Sequence, residues 1–286
     1  MRARGGFIGA NVTPAASSPN SAASGMWNLR EAESLKRAGT WPSAPPGGVG
    51  SGLQLWLDAS DASTLFDATT GGSLVAADGG VARWQDKSGN ARHATQGTAG
   101  SRPTRKTGIK NGLAVLRFDG SNDVMNLPTS FRWWPAGTIL TVLANLGSST
   151  VPDAPWYAAN NADNPELRLV ASSTSGYWYY NGSYKLNTAA DHYDSIGTGS
   201  LRTIVLNNTA YKSYSNGVLK NSTTLTSAVP ANNPATHHSL GGYDYSIDLK
   251  FYAGIDIAEL IIYNSALSDT DRAAVESYLL AKWGIA

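Results

Sequence analysis

Ile255-Asp256-Ile257-Ala258-Glu259-Leu260-Ile261-Ile262-Tyr263, followed by Ser268 and a run that stops at Gly284, decides the fold. The first stretch is rich in β-branched residues and reads as a strand. The second is the one strong helix signal beyond residue 50. Ser268 is a good N-cap, and Asp269 and Asp271 suit the positive end of a helix dipole. Val275, Tyr278 and Leu279 make an apolar stripe that Trp283 joins, so the helix docks on something. Upstream the texture is the same as in the strand. Leu53, Leu55 and Leu57 alternate with Gln54, Trp56 and Asp58, predicting one shared face. Val115, Leu116 and Phe118 form another run, and Thr138 to Leu143 reads as buried. Leu201 to Leu206 and Tyr211 to Tyr214 follow. Asn216-Gly217 is a two-residue hairpin signal, and Asn181-Gly182 a second. Many short, evenly spaced strands and one helix predict an all-β, antiparallel two-sheet sandwich with a C-terminal docking helix.

The chain has 286 residues, of which 15% are charged, and it contains no Cys. Disulfides, thiolate metal sites and cysteine nucleophiles are thereby removed. The net charge of +1 argues against a dedicated nucleic-acid binder. No apolar run approaches the roughly 18 residues of a membrane span, so no membrane insertion is expected. Met1-Arg2-Ala3-Arg4 is basic, but the apolar stretch from Phe7 to Val12 is too short and glycine-rich for a secretion signal.

The first 50 residues differ from the rest, 28 of them being Gly, Pro, Ser or Ala. Residues 1–49 therefore read as an extended arm that cannot bury enough apolar surface to order itself. A capping box at Asn28 and Glu31 opens a short helix near 28–38, which Gly39 stops. Phe7, Ile8, Trp27, Leu35 and Trp41 are the arm's candidates for anchoring to a partner. Residues 45–52 read as a hinge, and 50–286 as the folded domain.

Leu53-Gln54-Leu55-Trp56-Leu57-Asp58, Trp84-Gln85-Asp86-Lys87-Ser88-Gly89-Asn90 and Leu116-Arg117-Phe118-Asp119-Gly120 resemble the opening of a laminin-G-like, concanavalin-A-like jelly roll. The stretch from Ile257 to Trp283 resembles its closing strand and terminal helix. This fold hosts many functions. The arm, through Gly5-Gly6-Phe7-Ile8-Gly9, Gly25-Met26-Trp27 and Gly39-Thr40-Trp41-Pro42, resembles the N-terminal segment of tailed-bacteriophage structural proteins. That resemblance implies a virion protein with other capsid or tail proteins as partners, homo-oligomeric on the particle.

Glycoside hydrolysis needs two carboxylates across one bond. Hydrolases of this fold resemble one another by a Glu-x-Asp-x-x-Glu strand, and none of the five Glu here sits in that pattern. Asp256 and Glu259 are three apart on one strand, which predicts opposite faces. The expectation is that the chain is not an enzyme and uses no cofactor. Asp119 and Asp123 are candidate calcium ligands in an oxygen-rich stretch, as are residues 86–90; tight turns capped by Asp and Asn are the competing reading. Trp133, Trp134, Trp156, Tyr157, Trp178 and Tyr180 cluster outside obvious core positions. Their rings suit sugar stacking or subunit contact, with core packing as the alternative. His237-His238 reads as ordinary surface or hydrogen-bonded imidazoles. Arg102, Arg105, Lys106 and Lys110 read as a solvated basic stretch.

These readings converge on a phage structural protein. The arm anchors it and the sandwich is displayed, covering neighbouring subunits or binding a host surface glycan. A free bacterial carbohydrate-binding module or adhesin is the alternative.

Overall fold

The computed structural model describes residues 44–129, 135–146, 155–160, 166–170, 175–180, 183–189, 199–225, 237–246 and 249–286, with backbone alone for 146, 155–160, 166–170, 175–180, 183–189, 237, 243–246 and 249–251. In chain order the strands are Leu53–Asp58 (β1), Leu65–Phe66 (β2), Arg83–Trp84 (β3), Ala94–Thr95 (β4), Thr104–Lys110 (β5), Leu113–Asp119 (β6), Met125–Leu127 (β7), Ala136–Leu146 (β8), Pro155–Asn160 (β9) and Glu166–Val170 (β10). They continue with Ser175–Tyr180 (β11), Ser183–Ala189 (β12), Ser200–Asn207 (β13), Ala210–Ser215 (β14), Val218–Thr224 (β15), His237–Leu240 (β16), Gly242–Ser246 (β17), Leu249–Tyr252 (β18) and Gly254–Tyr263 (β19). The helix Asp269–Trp283 (α1) closes the chain.

The fold is an all-β sandwich of two antiparallel sheets. The first sheet has the order β15-β14-β13-β8-β19-β6-β5, and β1 also pairs with β19. The second has the order β10-β9-β16-β7-β4-β3-β2. Two hairpins, β11-β12 and β17-β18, stand beside it.

β19 organises the first sheet. It is buried from Ile255 to Tyr263, as its apolar composition demands. Its first half pairs with β6 and its second half with β1, while β8 runs along the other side. Ile255, Ile257, Leu260 and Ile262 enter the core between the sheets, with Leu55, Leu116, Phe118, Trp84, Met125 and Leu240. Ala258, Ile261 and Tyr263 join a second core on the opposite face, with Trp56, Leu140, Val142 and the helix residues Val275, Leu279 and Trp283. The molecule is thus three layers, and both faces of the first sheet are covered. Fully burying each of the helix's three apolar anchors is worth about 1.5–3 kcal/mol.

Two expectations are corrected. Leu53, Leu55 and Leu57 do not share a face. The register shifts between Leu53 and Leu55, so Leu53 packs with Trp56 on the helix side. An extra residue in one strand breaks the period of two. The stretch 45–52 is no free hinge either. Pro46–Gly48 forms a 3₁₀ turn whose Pro46 is buried. Gly47, at φ 60°, lies so close to α1 that a Cβ there would stand 2.6 Å from the Ala274 backbone. Tyr263 Oη donates to Val49 O at 3.0 Å and fixes the end of the turn. Phe7, Ile8, Trp27, Leu35, Trp41 and the helix near 28–38 lie outside the described residues.

Candidate functional site

The first sheet hides its outer face under α1; the second leaves residues of its outer face open. That face follows from alternation in very short strands. Leu65, Trp84 and Ala94 are fully buried in the core, so Phe66, Arg83 and Thr95 stand outside. Met125 and Leu240 are also in the core. Their neighbours Asn126 and Ser239 therefore continue the outer row, through the registers Thr95↔Asn126 and Asn126↔Ser239. In backbone register the row goes on to Ala158 and Arg168.

Asn126 is exposed, and Phe66, Arg83 and Thr95 are half-buried. The Arg83 guanidinium lies over the Phe66 ring, its Cζ 4.1 Å from the ring centroid, a cation–π contact. Its Nη1 donates to Thr69 O at 3.3 Å. Ser239 Oγ donates inward, to Gly242 O at 2.7 Å. The row thus combines an aromatic ring, a guanidinium, a hydroxyl and an amide on one open surface. Those are the groups that stack on and hydrogen-bond to a polyhydroxyl ligand.

The loop from β3 to β4 is held by Asp86. Its carboxylate accepts from Trp56 N at 2.9 Å, Ser88 N at 2.8 Å, Ser88 Oγ at 2.7 Å and Arg92 N at 3.0 Å. Asn90 Nδ2 donates to Leu53 O at 3.0 Å. The stretch 86–90, for which calcium binding and a tight turn are the two readings, therefore spends Asp86 on backbone and hydroxyl donors. Asp86 N donates to His93 Nδ1 at 3.1 Å. Burial pushes the His93 imidazole below its ordinary value, and Arg83 adds to this while Asp86 opposes it.

Asp119 and Asp123 also form a tight turn. Asp119 Oδ1 accepts from the backbone N–H of Ser121, Asn122 and Asp123, at 2.8, 3.1 and 3.3 Å. Asp123 Oδ2 accepts from Asp119 N at 3.0 Å. Among the described residues no group of three or more His, Asp or Glu could hold a metal. Burial, followed by the nearby Asp119 charge, pushes Asp123 up to about 6. Burial also acts to raise Asp119, but the backbone donors outweigh it and hold the group below its usual range. A carboxyl raised on folding favours the protonated native state, so this group costs stability as pH rises from about 4 to about 6. Asp123→Asn is accordingly expected to raise Tm relative to the parent at pH 8, with the gap closing near pH 4. A parallel melt with calcium tests the cation reading. An ion between the two carboxylates would raise the parent's Tm and leave the variant unmoved.

The paired acids differ from expectation. Asp256 and Glu259 share a face of β19, because the register against β8 shifts between Ile257 and Glu259. Arg117 grips Asp256 through two bonds of 2.7 and 2.8 Å. Glu259, fully buried, accepts from Trp56 Nε1, Trp283 Nε1 and Lys282 Nζ, each at 2.7 Å, and from Tyr278 Oη at 3.2 Å. Its cross-strand neighbour Asp58 is bound by Lys282 at 2.8 Å and Lys87 at 2.9 Å. Lys282 thus joins two buried carboxylates from the helix side.

The remaining expectations divide. Trp133 and Trp134 lie outside the described residues. Trp156 and Tyr157 are on β9, where Tyr157 is the register partner of Leu240. Trp178 and Tyr180 are on β11, which runs beside β10. The four are therefore gathered at the β9–β10–β11 end of the second sheet. His238 is no surface imidazole. It is buried, and it pairs in register with the core residue Leu127. The basic stretch is not simply solvated. Arg102 bonds to three carbonyls, Arg105 Nη1 donates to Val75 O at 2.9 Å, and Lys106 pairs with Asp78 at 2.7 Å. Phe66, Arg83, Thr95 and Asn126 escape a sequence reading because strands of two or three residues show no periodicity.

No family model and no curated protein matches this chain. Its fold is shared with solved structures. One is the Trypanosoma rangeli sialidase in complex with sialic acid, at 13% identity and TM-score 0.54, covering 86% of this chain and 35% of that one. Another is domain 4 of the extracellular arabinanase AbnA from Geobacillus stearothermophilus, in complex with arabinotriose. It matches at 16% identity and TM-score 0.53, covering 79% and 97%. The binding domain of botulinum neurotoxin serotype D matches at 15% identity and TM-score 0.53, covering 80% and 52%. The chain spans about a third of the length of the sialidases it matches. Identities this low show the β-sandwich fold alone. They still correct the expectation that set the chain apart from enzymes, because this sandwich matches part of enzyme chains. Composition and a missing Glu-x-Asp-x-x-Glu strand do not exclude an enzyme. The argument from opposed carboxylates also fails, since Asp256 and Glu259 face the same way.

Proposed function

We propose that this chain is a carbohydrate-binding β-sandwich domain that seats a glycan on the outer face of its second sheet. The observation that carries the reading is the open row of Phe66, Arg83, Thr95 and Asn126 on one sheet, while the other sheet's outer face is taken up by α1. β9 lies toward the far end of the same sheet and β11 beside its edge strand β10, so Trp156, Trp178 and Tyr180 are the proposed stacking set, while Tyr157 shares a register row with the core residue Leu240. Support comes from the arabinotriose-bound arabinanase domain, nearly all of which the chain covers. No helix of the described residues is long and apolar enough to cross a membrane.

A glycan array probed with the full chain tests this. At least one glycan family is expected to bind. Asn126→Ala is expected to weaken that binding about 2- to 10-fold, the worth of one net hydrogen bond. An array blank for the folded chain overturns the reading. Attachment to a phage particle is a separate proposal resting on residues 1–43. Deleting them should abolish co-sedimentation with particles and spare glycan binding.

A further inference from the structure

We propose that this face selects acidic sugars, with Arg83 and Arg102 receiving the ligand's carboxylate; the inference rests on the glycan-binding reading above. The two guanidinium groups converge on one loop. Arg83 Nη1 donates to Thr69 O at 3.3 Å, and Arg102 Nη1 to Asp67 O at 3.2 Å. Arg102 also donates from Nε to Gln96 O at 3.3 Å and from Nη2 to Gly97 O at 3.1 Å. Every one of these acceptors is a backbone carbonyl.

Arg105 shares that pattern at Val75 O, whereas other cations pair with carboxylates. Lys87 pairs with Asp58 and Asp61, Lys106 with Asp78, Arg117 with Asp256, Arg272 with Glu276, and Lys282 with Asp58 and Glu259. Cations and anions are nearly equal in number in this chain, 22 against 21, so carboxylate partners are not scarce. Arg83 and Arg102 nevertheless have none among the described residues. Asp67, whose backbone carbonyl takes Arg102 Nη1, turns its own Oδ1 to Ser73 N at 2.7 Å. Arg83 Nε is buried without a hydrogen-bond partner. Two positive charges are thus held at the edge of an open face without internal neutralisation.

The cation–π contact with Phe66 holds the Arg83 fork in place, its Cζ 4.1 Å from the ring centroid, before any ligand arrives. A planar fork fits a planar carboxylate through two parallel bonds, and a preordered guanidinium loses little freedom on binding. Thr95 and Asn126, next in the row, are placed to meet the hydroxyls of the same sugar. A sulfate ester offers a similar charge with tetrahedral oxygens, and the test separates the two.

The experiment is an array of neutral, carboxylated and sulfated glycans, probed with the full chain and with Arg83→Gln after thermal melts confirm that both are folded. Hits on carboxylated glycans are then titrated against their methyl esters, which keep the ring and lose the charge. The proposal expects carboxylated glycans to bind at least tenfold tighter than their esters in low salt. It expects the gap to shrink with added salt, and Arg83→Gln to bring acid and ester to parity. Equal binding of acid and ester, a preference for sulfated glycans, or an Arg83→Gln variant that keeps the gap overturns acidic-sugar selection and leaves the glycan-binding reading standing. A blank array overturns both.

Discussion

Lys282→Ala is expected to lower the unfolding free energy by about 3–5 kcal/mol, the cost of removing one partner from a buried ion pair. Lys282 Nζ reaches Glu259 at 2.7 Å and Asp58 at 2.8 Å from the last turn of α1. Asp58 keeps Lys87 after the substitution, and Lys87 also holds Asp61 at 2.8 Å. Glu259 keeps only neutral donors, the two indoles and Tyr278. It is fully buried and directly opposite Asp58 in the strand register. In the parent, burial and the Asp58 charge already push Glu259 above the usual carboxylate range, against the pull of Lys282. Removing Lys282 pushes it further. The folded state then holds the proton to higher pH than the unfolded chain does. Stability therefore falls as pH rises through that window, and the loss is expected to be larger at pH 8 than at pH 5. Urea unfolding at both values checks this. The cycle with Glu259→Gln should return a coupling energy of about 1 kcal/mol or more, and a value near zero would sink the account.

The same residues show what was legible in the sequence. The helix was legible in full, because capping and stripe are local properties. Ser268 Oγ accepts from Asp271 N at 3.1 Å, and Val275, Leu279 and Trp283 are the buried side. The strand Ile255–Tyr263 was legible from its composition. Its faces were not. A single register shift places Asp256 and Glu259 on one side, and no local preference marks it. The docking of Pro46–Gly48 on α1 was illegible for a different reason. Proline and glycine signal a break in regular structure and do not report what the turn packs against. The candidate face was the least legible part. Phe66, Arg83, Thr95 and Asn126 come from four strands, and only the pairing order makes them neighbours. Pairing order is set by contacts distant in sequence. The aromatic residues stood out in the sequence by contrast, because Trp and Tyr in adjacent pairs are conspicuous without any knowledge of the sheet.

Gly241→Ala is expected to cost about 2–5 kcal/mol, and its two causes can be separated. Gly241 adopts φ +77°, where an L side chain adds strain of about 1–2 kcal/mol. Its Cβ would also stand 1.9 Å from Phe118 Cδ1 and 2.4 Å from Cε1, inside the ring's van der Waals surface. Phe118 is buried in the core between the sheets, so it yields only by moving its neighbours. Overpacking of that kind typically costs about 1–3 kcal/mol. Gly112 isolates the first term, for it has φ +74° and nothing within 4 Å of where a Cβ would be. Gly112→Ala should therefore show the strain alone, and Gly241→Ala the strain plus the clash. Chemical denaturation of both variants gives the difference, and equal losses would refute the role of Phe118. The consequence reaches the candidate face. Gly241 follows Leu240 at the end of β16, and Ala253 N donates to its carbonyl at 2.8 Å. Shifting Gly241 away from Phe118 moves the strand that carries Ser239 and pairs with Asn126. Glycan affinity should therefore fall in Gly241→Ala even under conditions where the chain remains folded, while Gly112→Ala, on the β5–β6 turn of the other sheet, should bind as the parent does.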